Sequence, residues 1–220
     1  MLKIVVFDGG YGGELFADKL EDEIPVVDVI RVINWRESKE LLKSPHTARR
    51  VCHNAIKPYI GRVDLIILAN HLLGTTSLKY FQRKYKKQKF LGLKLPQPDT
   101  FVKRPTIALT TKALAKTISY HNYVFRLKRK IDTICLDNWP ELIDDGELSA
   151  EEIRMELEKF RLEHEYRPAE IIIACSQFND VIPVIRESFK NIKIHDSFEE
   201  TIRDACKILK IRGGTGKKKK

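Results

Sequence analysis

Short apolar runs rich in Val and Ile recur along the chain. Each is followed by a longer stretch whose apolar positions are spaced as on a helix. The runs LKIVVFD (2–8), VVDVIRV (26–32), VDLIILA (63–69) and KFLGLKL (89–95) read as strands, as do TIALTT (106–111), IDTICLD (131–137), EIIIAC (170–175) and IKIHDS (192–197). Helical patterns fall near 11–22, 46–60, 75–87, 111–125, 149–165, 179–189 and 198–210. Near-continuous apolar strands separated by helices predict parallel sheet covered on both faces, hence an α/β protein. Two stretches punctuate the alternation. LPQPDTFVKRP (95–105) holds three prolines and reads as a link between two α/β units of about four strands each. DNWPELIDDGELSAEE (137–152) is a longer excursion, and its Ser149-Ala150-Glu151-Glu152 is a capping box ahead of a helix.

Composition narrows the class. The chain has 220 residues, 43% hydrophobic and 32% charged, which suits a soluble globular protein. No apolar run approaches the roughly 20 residues of a membrane span, so no membrane partner is expected. The opening segment turns acidic too soon for a signal peptide, and the reading is cytoplasmic. Cys52, Cys135, Cys175 and Cys206 form no C-x-x-C pair. That argues against a disulfide framework and against structural zinc, with burial as each thiol's default.

The net charge is +10. Part of it is the tail Lys217 to Lys220, behind Gly213-Gly214-Thr215-Gly216, which is left out of the fold reasoning. Another part is KYFQRKYKKQK, Lys79 to Lys89, where aromatic residues sit among the cations. The plainer reading is a solvated helix face with Tyr80, Phe81 and Tyr85 packed or half-buried. Weak nucleic-acid contact through this basic surface is the alternative.

In parallel sheets ligands sit beyond the carboxyl ends of strands. The positions to watch are Asp8-Gly9-Gly10, Asn34-Trp35, Asn70-His71, Thr110-Thr111, Asp137-Asn138 and Cys175-Ser176-Gln177. Glycines around Tyr11 allow close backbone approach to a ligand. The spacing is neither G-x-G-x-x-G nor a G-K-[ST] loop, so a dinucleotide or nucleotide fingerprint is not supported.

These segments resemble a known family. Asp8-Gly9-Gly10-Tyr11-Gly12-Gly13 resembles the D-S-G-x-G-G opening of glutamate racemases, in the aspartate/glutamate racemase superfamily. VDLIILAN resembles the strand that ends there in A-C-N-T, and KFLGLKLP the next strand. RPTIALTTKALAKTISY is similar to the opening of the second domain. DNWPELIDDGELS resembles the P-L-V-x-x-x-E-x-G-E-L excursion, IIIACSQFNDVIPVI the I-L-G-C-T-H-Y-P-x-L segment, and IKIHDSFEETI the V-x-x-I-D-S-x-E-x-x segment. The likeness runs in order over nearly all of residues 1 to 210.

The resemblance implies two pseudo-symmetric flavodoxin-like domains with mostly parallel sheets. The first would be 1–100 plus 198–220 with a returning C-terminal helix, the second 101–197. It implies a cofactor-independent isomerase, with no metal, acting on a small amino acid or dicarboxylate; a homodimer is compatible with it. One thiolate would take the α-proton while a second thiol delivers another from the opposite face. Such a site must stabilise an enediolate-like dianion with amides and hydroxyls, and thiols near helix amides reach a suitable pKa. On this reading Cys175, Asp8 and His71 are the catalytic candidates. Gly9, Asn70, Thr75, Thr76, Thr110, Thr111, Ser176, Gln177 and Asp144 are the substrate-binding ones. Cys175 is the thiol expected to react most readily.

The chain also departs from the pattern. Asn70 stands where the first cysteine belongs, Gln177 where a histidine follows the second, and Gly9 where the serine follows the aspartate. Three readings follow. A racemase-like enzyme would use Cys175 with His71 as substitute acid. A decarboxylase-like lyase would use Cys175 alone, with Thr75, Thr76 and Ser77 as donors. A non-catalytic relative would be a binding or regulatory protein with its basic surface turned to nucleic acid or another partner.

Overall fold

The computed structural model describes residues 1–97, 104–128, 130–164, 166–189 and 191–211. The middle of the proline-rich link, with the expected boundary at 100/101, and the lysine tail lie outside the described residues. The chain divides into two compact units. Met1–Lys94 is joined by the segment from Ser197 onward, and Leu95–Asp196 forms the second.

The first unit runs β1 (Leu2–Asp8), α1 (Tyr11–Glu23), β2 (Val27–Ile33), α2 (Ser38–Leu41), α3 (Pro45–Ile56), β3 (Leu65–Leu68), α4 (His71–Thr76), α5 (Leu78–Lys84) and β4 (Phe90–Gly92). The second runs β5 (Thr106–Thr110), α6 (Lys112–Ala115), α7 (Ile118–Arg126), β6 (Ile131–Cys135), α8 (Trp139–Asp144), α9 (Ala150–His164), β7 (Glu170–Ile173), α10 (Ile182–Ser188) and β8 (Lys193–His195). The last helix, α11 (Phe198–Leu209), belongs to the first unit.

Each unit holds one four-stranded sheet, in the orders β2-β1-β3-β4 and β6-β5-β7-β8, and every pairing is parallel. The same order appears twice, so the two flavodoxin-like units are pseudo-symmetric. The expected fold class is the observed one.

Alternation along the strands sends side chains to two faces. In the first unit Ile4, Val6, Leu65 and Ile67 pack with Phe16, Leu20, Phe198 and Ile202 of α1 and α11. Phe16 and Phe198 meet edge to face at 5.1 Å, and Lys94 pairs with Asp204 at 2.7 Å on the rim. Val5, Phe7, Ile66 and Leu68 alternate with the first set and are fully buried too. That double burial is why these strands read as unbroken apolar runs. In the second unit Ile107, Leu109, Ile171 and Ile173 pack with Ile153, Leu157 and Phe160 of α9 and Ile185 of α10.

Several helix boundaries differ from the periodicity. The expected helix 111–125 breaks after Ala115, because Thr117 caps a new helix: its Oγ1 accepts from the Tyr120 N–H at 3.1 Å and donates to the Leu114 carbonyl at 2.8 Å. The expected helix 75–87 starts earlier, at His71, and is divided at Ser77. Residues 35–41 and 139–144 add short helical turns that strand-and-helix periodicity passed over. The capping box forms as read, with Ser149 Oγ accepting from the Glu152 N–H and Glu152 Oε2 accepting from the Ser149 N–H. Since Thr117 ties two helices together, Thr117→Ala is expected to cost about 1–2 kcal/mol in urea denaturation. An unchanged midpoint would remove it as the reason for the break.

Candidate functional site

Parallel pairing brings all strand exits of a unit to one edge of its sheet. In the first unit Phe7 lies beside Leu68, and the Ala69 N–H donates to the Phe7 carbonyl at 2.8 Å. In the second unit Leu109 lies beside Ile173, and the Ala174 N–H donates to the Leu109 carbonyl at 2.9 Å. Counting on from these matched pairs, Asp8 corresponds to Thr110 and Asn70 to Cys175. Position 70 is thus the repeat's own counterpart of the thiol.

The two positions are chemically unlike. Asn70 is committed on both ends of its amide. Its Oδ1 accepts from the Leu73 N–H at 3.1 Å and caps α4, while its Nδ2 donates to Asp8 Oδ1 at 2.9 Å. Asp8 is fully buried, and the same oxygen accepts from the Gly9 N–H at 2.6 Å. Leu41 packs closely on Gly9: a Cβ there would lie 2.1 Å from Leu41 Cδ1, so a larger residue needs that side chain to move. Gly13 is pinned likewise, with Asp8 Cβ at 2.5 Å from the position of a Cβ. Leu41, a residue no motif singled out, thus lies against the start of the DGGYGG segment.

His71 is enclosed in the first turn of α4. Its Nε2 is hydrogen-bonded to Ser197 Oγ at 3.0 Å, and Nδ1 is buried without a hydrogen-bond partner among the described residues. Burial lowers its pKa from 6.5 to about 3. The ring is neutral at neutral pH and lacks the extra proton a substitute acid would deliver. Folded, it takes up that proton only toward pH 3, whereas the unfolded chain does so below 6.5. The unfolded state binds more protons in that window, so stability present above pH 6.5 is lost as pH falls toward about 3. The expected slope from this residue reaches about 1.4 kcal/mol per pH unit. Denaturation curves of His71→Gln against the parent should diverge across this window; parallel pH profiles would contradict the burial argument.

Thr76 Oγ1 donates back to the Leu72 carbonyl at 2.6 Å, and Arg49 Nε donates to Ser77 Oγ at 3.2 Å. Thr75 Oγ1 is buried with no hydrogen-bond partner among the described residues. Asn70 is the cap of α4, and Thr75 and Thr76 lie within the helix.

In the second unit the thiol sits in a tight turn. Cys175 Sγ donates to Gln177 Oε1 at 3.1 Å, and Ser176 Oγ approaches the same oxygen at 3.4 Å. Gln177–Asn179 form one 3-10 turn, closed by the Asn179 Nδ2 on the Ser176 carbonyl. Phe178 is fully buried and meets Trp139 edge to face at 5.7 Å, which anchors the turn on α8. Thr110 Oγ1 reaches the Ala174 carbonyl at 3.5 Å, and Thr111 is buried beside it in sequence, ahead of α6. Asp144 closes α8, half-buried. The helix expected near 179–189 starts at Ile182, so a 3-10 turn and an amide side chain, rather than α-helical amides, are the thiol's immediate neighbours.

The other thiols are less suited to proton transfer. Burial, with the charge of Asp8 beside it, pushes the Cys52 thiol well up. Burial and Asp137 raise Cys135, and burial and Glu23 raise Cys206. Cys135 is nonetheless the least enclosed of the four, so access alone ranks it ahead of Cys175 in alkylation.

No family model and no curated protein matches the chain. Solved structures do. The glutamate racemase of Escherichia coli, in complex with L-glutamate and the activator UDP-MurNAc-Ala, superposes with a TM-score of 0.82 at 17% identity, over 96% of this chain and 83% of that one. The glutamate racemase of Campylobacter jejuni gives 0.78 at 16%, over 100% and 90%. The aspartate racemase of Picrophilus torridus gives 0.59 at 17%, over 94% and 92%. The chain shares the fold of these racemases.

Proposed function

We propose that the chain is a racemase-like protein that moves a proton at the α-carbon of a small amino acid or dicarboxylate, using one thiol. The observation that carries this reading is the pairing of Cys175 with Gln177 at the exit of β7. A thiol at a strand end, hydrogen-bonded to an adaptable amide, can cycle between two states. As a thiol it donates to Gln177 Oε1; as a thiolate it accepts from Nε2 after the amide turns over. Sγ takes the α-proton and leaves an enediolate-like carbanion. Exchange of the new S–H with solvent and return of the proton complete the cycle without net oxidation. Ser176, Thr110 and Thr111 supply hydroxyls for the carboxylate, with Asp144 as a further binding candidate. Asn70 cannot act as acid or base, and we assign it, with Asp8 and His71, to holding the exits of β1 and β3 in place.

One base working on one face exchanges a proton faster than it inverts the centre. In heavy water, deuterium incorporation into L- or D-glutamate or aspartate is therefore expected to exceed formation of the opposite enantiomer. Mass spectrometry with chiral chromatography reads both. Inversion that keeps pace with exchange would require a second acid; no exchange with any of the four substrates would favour a non-catalytic binding protein.

A further inference from the structure

Outside the strand exits, charge is sorted unevenly along the chain. Between Lys43 and Lys94 there are twelve Lys and Arg residues and one acid, Asp64, a net of 12 − 1 = +11 against +10 for the whole protein. Asp64 faces the start of β1, accepting from the Lys3 N–H at 2.8 Å. Ion pairs take Lys43 and Lys94 at the two ends of the segment, with Glu40 and Asp204. Among the described residues the cations between them have no acidic partner.

The fold gathers these cations. Helices α3 and α5 lie side by side: His53 stacks on Tyr85 at 5.9 Å, and its Nε2 meets the Tyr85 hydroxyl at 2.5 Å. The Arg49 guanidinium sits 4.7 Å from the centre of the Tyr80 ring, and Lys84 Nζ 5.5 Å from both the Tyr80 and Tyr85 rings. Lys84 Nζ also lies 3.5 Å from His53 Nε2, and burial with the nearby charges of Lys84 and Lys57 lowers the His53 pKa. Beyond Lys84 the chain turns through Lys86 and Lys87 and borders a hollow of about 350 Å³ with Arg83, Ile60 and Gly61. Gln88 fixes its floor, accepting from the Gly61 N–H and donating to the Val63 and Lys89 carbonyls.

From this juxtaposition we propose that the α3–α5 face binds single-stranded nucleic acid, with Lys84, Lys86, Lys87 and Arg83 on the phosphates and Tyr80 as a platform for a base. Phosphates complement a face without acids. Tyr80 is 38% exposed, an aromatic flanked by cations that suits an unpaired base rather than a closed duplex. A bilayer is the poorer fit, because Tyr80 is the one exposed large apolar side chain in the segment among the described residues, and nothing else there would enter lipid. The solvated helix face of the plainer sequence reading is present, with Phe81 buried and Tyr85 half-buried beneath it. The proposal is independent of the proton-transfer reading.

The test is fluorescence anisotropy of labelled oligouridylate and oligothymidylate, roughly 20 nucleotides long, with the full chain. Four phosphate contacts give a salt slope near −2.8, so affinity should fall about fiftyfold between 50 and 200 mM salt. Reversal of charge in Lys84→Glu/Lys86→Glu/Lys87→Glu should weaken binding at least about tenfold and flatten the slope by about two. Tyr80→Ala should weaken it roughly tenfold. The milder Lys86→Gln/Lys87→Gln pair, at exposed positions, guards against misfolding and should still flatten the slope by about one. Replacing Lys217–Lys220 by serine should leave most of the affinity. Binding that disappears with the tail, survives the triple reversal, prefers duplex, or is matched by phosphatidylserine vesicles would overturn the proposal.

Discussion

Replacement of Cys175 by serine is expected to lower α-proton exchange by about a hundred- to ten-thousand-fold, the usual cost of losing a general acid–base group. Serine keeps the size of the side chain and can still donate to Gln177 Oε1, so the turn survives. What it cannot do is ionise near neutral pH. The remaining thiols offer no rescue: Cys52 and Cys206 are buried with raised pKa values, and Cys135 is raised by its own burial and by Asp137. Cys135→Ser therefore serves as the control and should stay within about twofold of the parent, since it removes no group assigned to proton transfer. Exchange that persists in Cys175→Ser within tenfold of the parent would show that another group moves the proton. Activity lost equally in Cys135→Ser would point to a structural effect.

Much of this architecture is visible before any coordinates. Strands buried on both faces leave long Val/Ile runs, and in a parallel sheet each run ends where ligands sit. Asp8, Asn70, Thr110 and Cys175 could all be picked out on that basis. The capping box at Ser149 is also local and legible, because its two hydrogen bonds join residues three apart. The hidden features come from distant contacts. Leu41 covers Gly9 from a short turn that carries no periodic signal. Ser197 holds His71 across 126 residues of sequence. Trp139 and Phe178 meet between an excursion and a strand exit. Asn70 carried a readable signal, since Asn after a strand and before His-Leu-Leu is a strong helix cap. The resemblance instead sets Asn70 against a cysteine, which masks that signal. His71 could be read as a surface acid because its neighbour in sequence faces a strand exit; only its burial shows the ring to be neutral.

The second large effect is expected at Gly74, in the middle of α4. A Cβ there would lie 2.1 Å from the Leu93 carbonyl oxygen and 2.9 Å from both the Leu93 carbonyl carbon and nitrogen. Every one of these atoms is backbone, so no side chain can swing aside. Gly92 closes the same gap from the other side, with a Cβ there 2.8 Å from the Gly74 Cα. Helix α4 thus rests directly on the end of β4, and this contact sets where Asn70 and His71 stand. Gly74→Ala must push the helix off the strand, at about 3 kcal/mol or more, despite alanine's better helix propensity of roughly 1 kcal/mol. Gly61 gives the comparison. It has φ +76° and nothing within 4 Å of a Cβ, so Gly61→Ala carries only the left-handed backbone cost of about 1–2 kcal/mol. Urea denaturation of both variants, with far-ultraviolet circular dichroism, separates overlap from conformational strain. Gly74→Ala should lose the larger share of its stability or fail to fold. If it proves no less stable than Gly61→Ala, α4 does not rest on β4 as described, and the fixed positions of Asn70 and His71 lose their physical basis.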